Sequence, residues 1–489
     1  MGLINNTNDP RSLSLVDKLK FLFKDIVFFG GLRAISLIFP FLTIPIFTRY
    51  FTIEEFGLFD TLVVYISFTS LLIVFGQDSA VARWFYQFED ENNRRKIISE
   101  SLLIQLAFAG FFLIIVSFFS EAISRAYLSD PLYAKYITLF SLQSVCLFLL
   151  NFVINILKWS FDRKNYAVIS ILGPLILFLS LIISYFLKFD FYTYCLLNTV
   201  STALVSIIGL YLCRKQIVFS TDFVFAKQLF FYGVPLGVIS FSGSLMPAID
   251  RQMITSFLGL NELGLYSFGF KIASIVVVVD AIFHMAWGPF SLSIYKEPDS
   301  ERVYNLVLKV YVILFLLVIM LLLFISPFLI KIIGTQEYLK SIDLIIPLTF
   351  VFFIEGIGHI TSIGISLSLK SYLDLIPYLC SIALFIFLNW LVLPIYGIIG
   401  VAYSLLIVSI IKTLLSTFIA HKVFSIRFKL MEIFIGVFSI IFILGVGNYF
   451  FNRTLVLTVA LILILCYFWF VLLNRMDKEF IVTTIKSKL

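Results

Sequence analysis

Polar residues are sparse and clustered along this chain, and long apolar runs lie between the clusters. From Val27 to Leu473 the runs follow one another at about the 20 residues needed to cross a ~30 Å hydrocarbon core. The strict apolar–polar alternation of a membrane strand is missing, so the pattern reads as helices and excludes a β-barrel. About fourteen spans fit, near 27–48, 58–80, 97–119, 136–157, 167–187, 191–212, 231–256, 264–290, 304–326, 343–368, 374–392, 396–419, 430–450 and 454–473. The expected fold class is therefore an all-α polytopic membrane protein.

Composition agrees: 61% of residues are hydrophobic and 13% charged, about half the charge a soluble surface of this size needs. The net charge of +7 could suggest a nucleic-acid partner, but its distribution speaks for topology instead. Connections on one side of the predicted bundle carry 24 Lys and Arg, and those on the other carry 7. By the positive-inside rule this places both termini in the cytoplasm, with no nucleic acid as partner. The polar stretch from Met1 to Lys24 shows no cleavable signal pattern. The five cysteines sit in or beside apolar runs without paired spacing, which predicts neither a disulfide framework nor a metal site.

Connections are short, about 20 residues at most, and no phosphate-cradling GxxxxGK[ST] loop occurs. An ATP-driven pump and a polymerase with a large outer loop are both disfavoured. The chain is expected to act as a transporter rather than an enzyme, needing no cofactor beyond H+ or Na+ coupling.

Two segments share an offset of 207 residues: Pro40 and Pro247, Glu55 and Glu262, Gly57 and Gly264, Phe59 and Tyr266. Six predicted spans separate them, an even number, so both copies point the same way and predict two parallel halves around a central cleft. The expected organisation is a cytoplasmic segment 1–26, six-helix bundles at 27–219 and 220–423, an added helical hairpin at 424–473, and a cytoplasmic tail 474–489. Pro40 and Pro247 lie within first spans of the halves, where a lost backbone hydrogen bond permits a kink that opens or closes the cleft, or a static bend.

Several stretches carry a family likeness. They are Pro40–Pro45 through Arg49 to Glu55-Phe56-Gly57-Leu58, Phe75-Gly76-Gln77-Asp78 to Arg83, Ala286-Trp287-Gly288-Pro289-Phe290, and Pro394-Ile-Tyr-Gly397 to Ala402. Together they resemble the polysaccharide flippases of the multidrug/oligosaccharidyl-lipid/polysaccharide (MOP) exporter superfamily, in particular the O-antigen branch. The resemblance implies paired MATE-like six-helix bundles, alternating access, a bacterial inner-membrane location and an undecaprenyl-diphosphate oligosaccharide as cargo. It also implies cations lining the cleft, and polysaccharide polymerase and chain-length machinery as partners. A lipid II flippase or an ion-coupled multidrug or metabolite antiporter is the alternative.

Charges inside spans cost roughly 3 kcal/mol each at the centre, so each calls for a role. Arg33, Arg251 and Lys271 are expected to bind the diphosphate at successive depths, Arg33 about 10 Å from the cytoplasmic face at 1.5 Å per residue. The competing reading is snorkelling or helix pairing. Arg251 follows Asp250, and the ~100° between neighbouring helical positions predicts that the two do not share a face. Arg49 is a candidate for a gate. Asp280/His284 and Glu355/His359 are i,i+4 pairs, suited either to ion coupling through a carboxylate or to gluing helices; neither has the ligand count for a metal, and no metal site is expected. Asp60 and Asp78 read as hydrated residues near span ends, and Lys309 and Lys412 as snorkelling.

Overall fold

The computed structural model describes residues 31, 32 and 36, then 38–467 except for 89, 219–222, 369, 429–430 and much of 432–452. Fifteen helices are described: α1 (38–50), α2 (Ile53–Val74), α3 (Gln77–Gln87), α4 (Glu91–Leu128), α5 (Ala134–Trp159), α6 (Arg163–Leu187), α7 (Phe191–Leu212), α8 (Ala226–Leu258), α9 (Leu260–Ala273), α10 (Val276–Ile294), α11 (Ser300–Ile333), α12 (Ile342–Thr361), α13 (Ile363–Leu367), α14 (Leu375–Val423) and α15 (Arg453–Tyr467). No strand occurs among the described residues. Among the described residues, nine helical stretches are long and apolar enough to span a membrane alone. The α9–α10 pair makes a further span, bent by 47°.

Two predicted span boundaries change. The second span is broken at Phe75 and Gly76, both at positive φ (37° and 78°), so α2 ends there and α3 starts in a new direction. The eighth span is the bent α9–α10. The eleventh and twelfth follow one another without a loop as the two arms of α14, parting close to the predicted boundary; its 49 residues would reach about 73 Å if straight. Gly397 interrupts it with φ 58° and ψ −147°, a combination essentially reserved for glycine. Beyond the break the chain doubles back, since Lys412 on the second arm lies 4.5 Å from the ring of Tyr378 on the first. Most of the predicted thirteenth span lies outside the described residues; α15 from the expected hairpin packs against α11.

In water the halves would close by burying apolar faces, but lipid is as apolar as leucine. Small and polar side chains therefore hold membrane helices together. Here α2 joins α5 through hydrogen bonds of Tyr65 with Ser141 (2.7 Å) and Thr69 with Ser144 (2.6 Å). Gln143 of α5 donates to Asn198 of α7 at 2.7 Å, and Thr361 of α12 bonds Thr417 of α14 at 2.6 Å. The connection between halves is fastened by Glu100 of α4, which is fully buried and accepts the backbone N–H groups of Val224 and Phe225 at 3.0 and 2.7 Å. A carboxylate there also complements the positive end of α8.

Candidate functional site

The halves meet along α2 and α9, at two of the glycines shared by the repeat. A Cβ on Gly57 would stand 2.4 Å from Leu260 O, and one on Gly264 would stand 2.1 Å from Ile53 O. Ile53 and Leu260 are themselves 207 residues apart, so the contact is reciprocal: each copy meets the other in the way a two-fold dimer interface does. Backbone touches backbone at this point, close to the local axis relating the two helices. Glu55 holds the start of α2 in a capping box with Thr52, at 2.8 and 3.2 Å. Gly259, at φ 85° and without a side-chain cap, starts α9.

Arg49 reinforces the same end of the bundle. Its guanidinium donates to Ile332 O at 2.5 Å and to Pro45 O at 2.7 Å, while Thr48 Oγ1 donates to Ile333 O at 2.7 Å. Ile332 and Ile333 lie in the last turn of α11, where cations and donors are favoured. The predicted gate cation thus clasps α1 of one half to α11 of the other. At the opposite end, Gly76 faces α8, where a Cβ would lie 2.0 Å from Gly233 O; Arg83 donates to Tyr232 at 3.2 Å.

One to two turns from the α2–α9 crossing, an ion cluster joins the halves. Asp60 of α2 receives Arg251 Nε at 3.2 Å and lies 3.3 Å from Lys271 Nζ. Arg251 also donates through Nη1 to Asp250 at 2.9 Å, and Tyr266 donates to the same Asp250 oxygen at 2.8 Å. The guanidinium sits over the rings of Phe270 (4.7 Å) and Tyr266 (5.6 Å). Asp60, Asp250 and Arg251 are buried, whereas the Lys271 side chain is 30% exposed. Two acids and two bases cancel, as burial requires.

This arrangement corrects two expectations and decides between the two readings of Arg251 in the closed arrangement. Asp60, read as hydrated, is the buried anion that both cations share. Arg251 is matched on two sides, the helix pairing held as the alternative to a free cation in the cleft. Asp250 and Arg251 do meet, because the guanidinium on its long stem swings back over a neighbour that the Cβ direction alone places on another face. Lys271 is the expected cation that stays partly open. Arg33 lies outside the described residues. Pro40 sits exposed within α1, and α8 runs as one helix through Pro235 and Pro247.

Asp78 is likewise no hydrated end: it accepts from Asn155 of α5 at 2.8 Å, which holds α3 to its own half. The acid–histidine pairs also rearrange. Glu355 pairs with Lys412 of α14, so that lysine does not snorkel, and Lys309 is buried. Asp280 keeps His284, with 3.1 Å between Oδ1 and Nε2, and His359 of α12 joins them rather than Glu355. Neither sequence pair held three ligands; the fold brings three together from both, with their ligating atoms within 4.8 Å of one another.

Solved transporters of low sequence identity share the fold. Lipid II flippase MurJ in an inward closed conformation aligns over 94% of this chain and 99% of its own, with TM-score 0.69 and 16% identity. An inward-facing multidrug resistance MATE family transporter of the MOP superfamily aligns over 80% and 94%, with TM-score 0.67 and 15% identity. The MATE multidrug transporter DinF-BH aligns over 82% and 95%, with TM-score 0.60 and 16% identity. No curated protein matches the sequence at a significant level. By sequence the polysaccharide biosynthesis protein family matches residues 22–294, which run to the end of α10 and hold both glycines and every member of the ion cluster. With more than half its length matched, the chain belongs to the polysaccharide biosynthesis protein family.

Proposed function

We propose that the protein is a flippase that carries an undecaprenyl-diphosphate-linked oligosaccharide, an O-antigen or capsular repeat unit, from the cytoplasmic to the outer leaflet of a bacterial inner membrane. The observation that carries this reading is the shared use of Asp60 by two cations of the other half. Parting the halves at α2 and α9 withdraws one negative charge from Arg251 and Lys271. Arg251 keeps Asp250, so the C-terminal half is left with two positive charges against one negative. A diphosphate headgroup supplies the missing anion, and its oxygens suit a guanidinium and an ammonium side by side. The isoprenoid tail stays in lipid.

On this reading α2–α9 and the Arg49 clasp form the outer gate, and Lys271, the partly open cation of the cluster, takes up the headgroup beneath it; Arg33 keeps its expected role as an earlier contact nearer the cytoplasmic face. Asp60 re-forms its pairs once the headgroup leaves and so resets the cycle. Asp250 Oδ1 is buried without a hydrogen-bond partner, a place for the proton or Na+ of a coupled step; Asp280 and Glu355 are the other carboxylates that could serve. Polymerase and chain-length proteins would receive the product outside. The family match favours a saccharide cargo, and MurJ, named as a lipid II flippase, aligns over more of the chain than the MATE transporter does (94% against 80%).

Deleting the gene and analysing lipid-linked saccharides on the inner leaflet tests the proposal. Accumulation of one such species, relieved by the intact gene and not by Lys271→Ala, is expected. No accumulation together with raised drug sensitivity would replace it with the antiporter reading.

A further inference from the structure

The chain has three histidines, and two of them meet. The rings of His284 on α10 and His359 on α12 lie 4.8 Å apart, centroid to centroid, at 88°. Asp280, one turn before His284, completes the group. Its Oδ1 stands 3.1 Å from His284 Nε2, yet that nitrogen is buried and makes no hydrogen bond. An oxygen and a nitrogen so close but misaligned have the spacing of neighbouring ligands on one ion: with bonds of about 2.0–2.1 Å, such atoms lie roughly 3.0–3.4 Å apart.

The surroundings support the same reading. Tyr311 of α11 donates to Asp280 Oδ1 at 2.6 Å and so fixes the carboxylate, as outer partners do in metal centres. Across from them α12 carries Gly356, where a Cβ would fall 1.7 Å from Tyr311 Oη and 2.6 Å from Asp280 Oδ1. The bare backbone at this position leaves the room that these groups occupy. Nearby Lys412 is neutralised by Glu355. Asp280 and His284 are partly accessible and His359 is exposed, so an ion has a way in.

We propose that Asp280, His284 and His359 form a site for a divalent transition-metal ion of the zinc or cobalt kind, which ties α10 to α12. Two imidazoles and one carboxylate suit these ions far better than Na+, Mg2+ or Ca2+, which prefer all-oxygen shells. Three protein ligands leave the remaining position to water. Because α10 is the second limb of the bent span, the ion would brace that bend against the body of the C-terminal half. The site involves neither the Asp60 cluster nor the cargo and stands whether or not the chain is a flippase; an Asp280 that holds the metal leaves ion coupling to Asp250 or Glu355.

The test uses the full-length protein in detergent, stripped with chelator, with its purification tag removed and the exposed Cys380 and Cys466 replaced by serine. Titration with Co2+ should give saturable visible absorption at one ion per chain, displaced by Zn2+. Asp280→Asn and His359→Ala should each weaken binding about tenfold or more, while His421→Ala leaves it unchanged. Melting curves in chelator show that the variants are folded. Failure of the unsubstituted ligand set to bind Co2+ saturably would overturn the proposal, as would full binding by the Asp280→Asn/His359→Ala double variant.

Discussion

Replacing Gly264 by alanine adds a single methyl group where α9 crosses α2, and the backbone of Ile53 occupies that space. The new Cβ would lie 2.1 Å from Ile53 O, against the 3.4 Å of ordinary contact, so the helices must separate locally by 3.4 − 2.1 = 1.3 Å. A carbonyl oxygen has no rotamer by which to move aside. Overpacking of this kind costs about 1–3 kcal/mol, which shifts an equilibrium between closed and parted halves by about 5- to 150-fold. Spin labels at Glu54 and Asn261, exposed beside the starts of α2 and α9, would report the separation by pulsed electron–electron distance measurement. We expect a second, longer distance to appear in Gly264→Ala, and in Gly57→Ala, whose Cβ would lie 2.4 Å from Leu260 O. A distance distribution identical to that of the parent in both folded variants would refute the claim that backbone contact closes this end.

Three further outcomes follow from the geometry. Asp60→Asn should destabilise the protein by about 3 kcal/mol, the low end for a broken buried pair because Arg251 keeps Asp250 and Lys271 reaches water; detergent melting curves measure it, and an unchanged melting temperature would count against the cluster. Glu100→Ala should expose the backbone N–H groups of Val224 and Phe225, seen as hydrogen exchange at least tenfold faster there than in the parent, given about 1.5–3 kcal/mol per bond to a charged acceptor. Gly397→Ala forces a side chain into a glycine-only conformation at about 1–3 kcal/mol, so folded yield and melting temperature should both fall.

The sequence carried the architecture better than the site, for a physical reason. Span positions depend on local hydropathy and the repeat on an offset between matching residues, and both can be read along one dimension. Gly57 and Gly264 were visible as a repeated pair, although their mutual contact was not. Partners of buried charges are set by tertiary geometry instead. Asp60 looked like a hydrated end because its partners lie 191 and 211 positions away, in the other half. Glu100 lies inside a span with nothing nearby to mark it as the anchor of α8. Asp280/His284 and Glu355/His359 share one spacing, yet Glu355 turns to Lys412 and His359 crosses to the first pair. Spacing along a helix identifies faces; packing chooses among the neighbours those faces meet.

The glycine contact has a consequence for how such a chain can change. In a symmetric dimer of separate halves, one codon would specify both residues at the axis, and each mutation there would act twice. Fusion divides that position between two codons, 57 and 264, which can mutate separately. The freedom is nominal. A side chain at either position meets main-chain atoms of the opposite copy, which no substitution over there can trim away. The two codons remain bound to the same letter by a neighbour that has no side chain left to give.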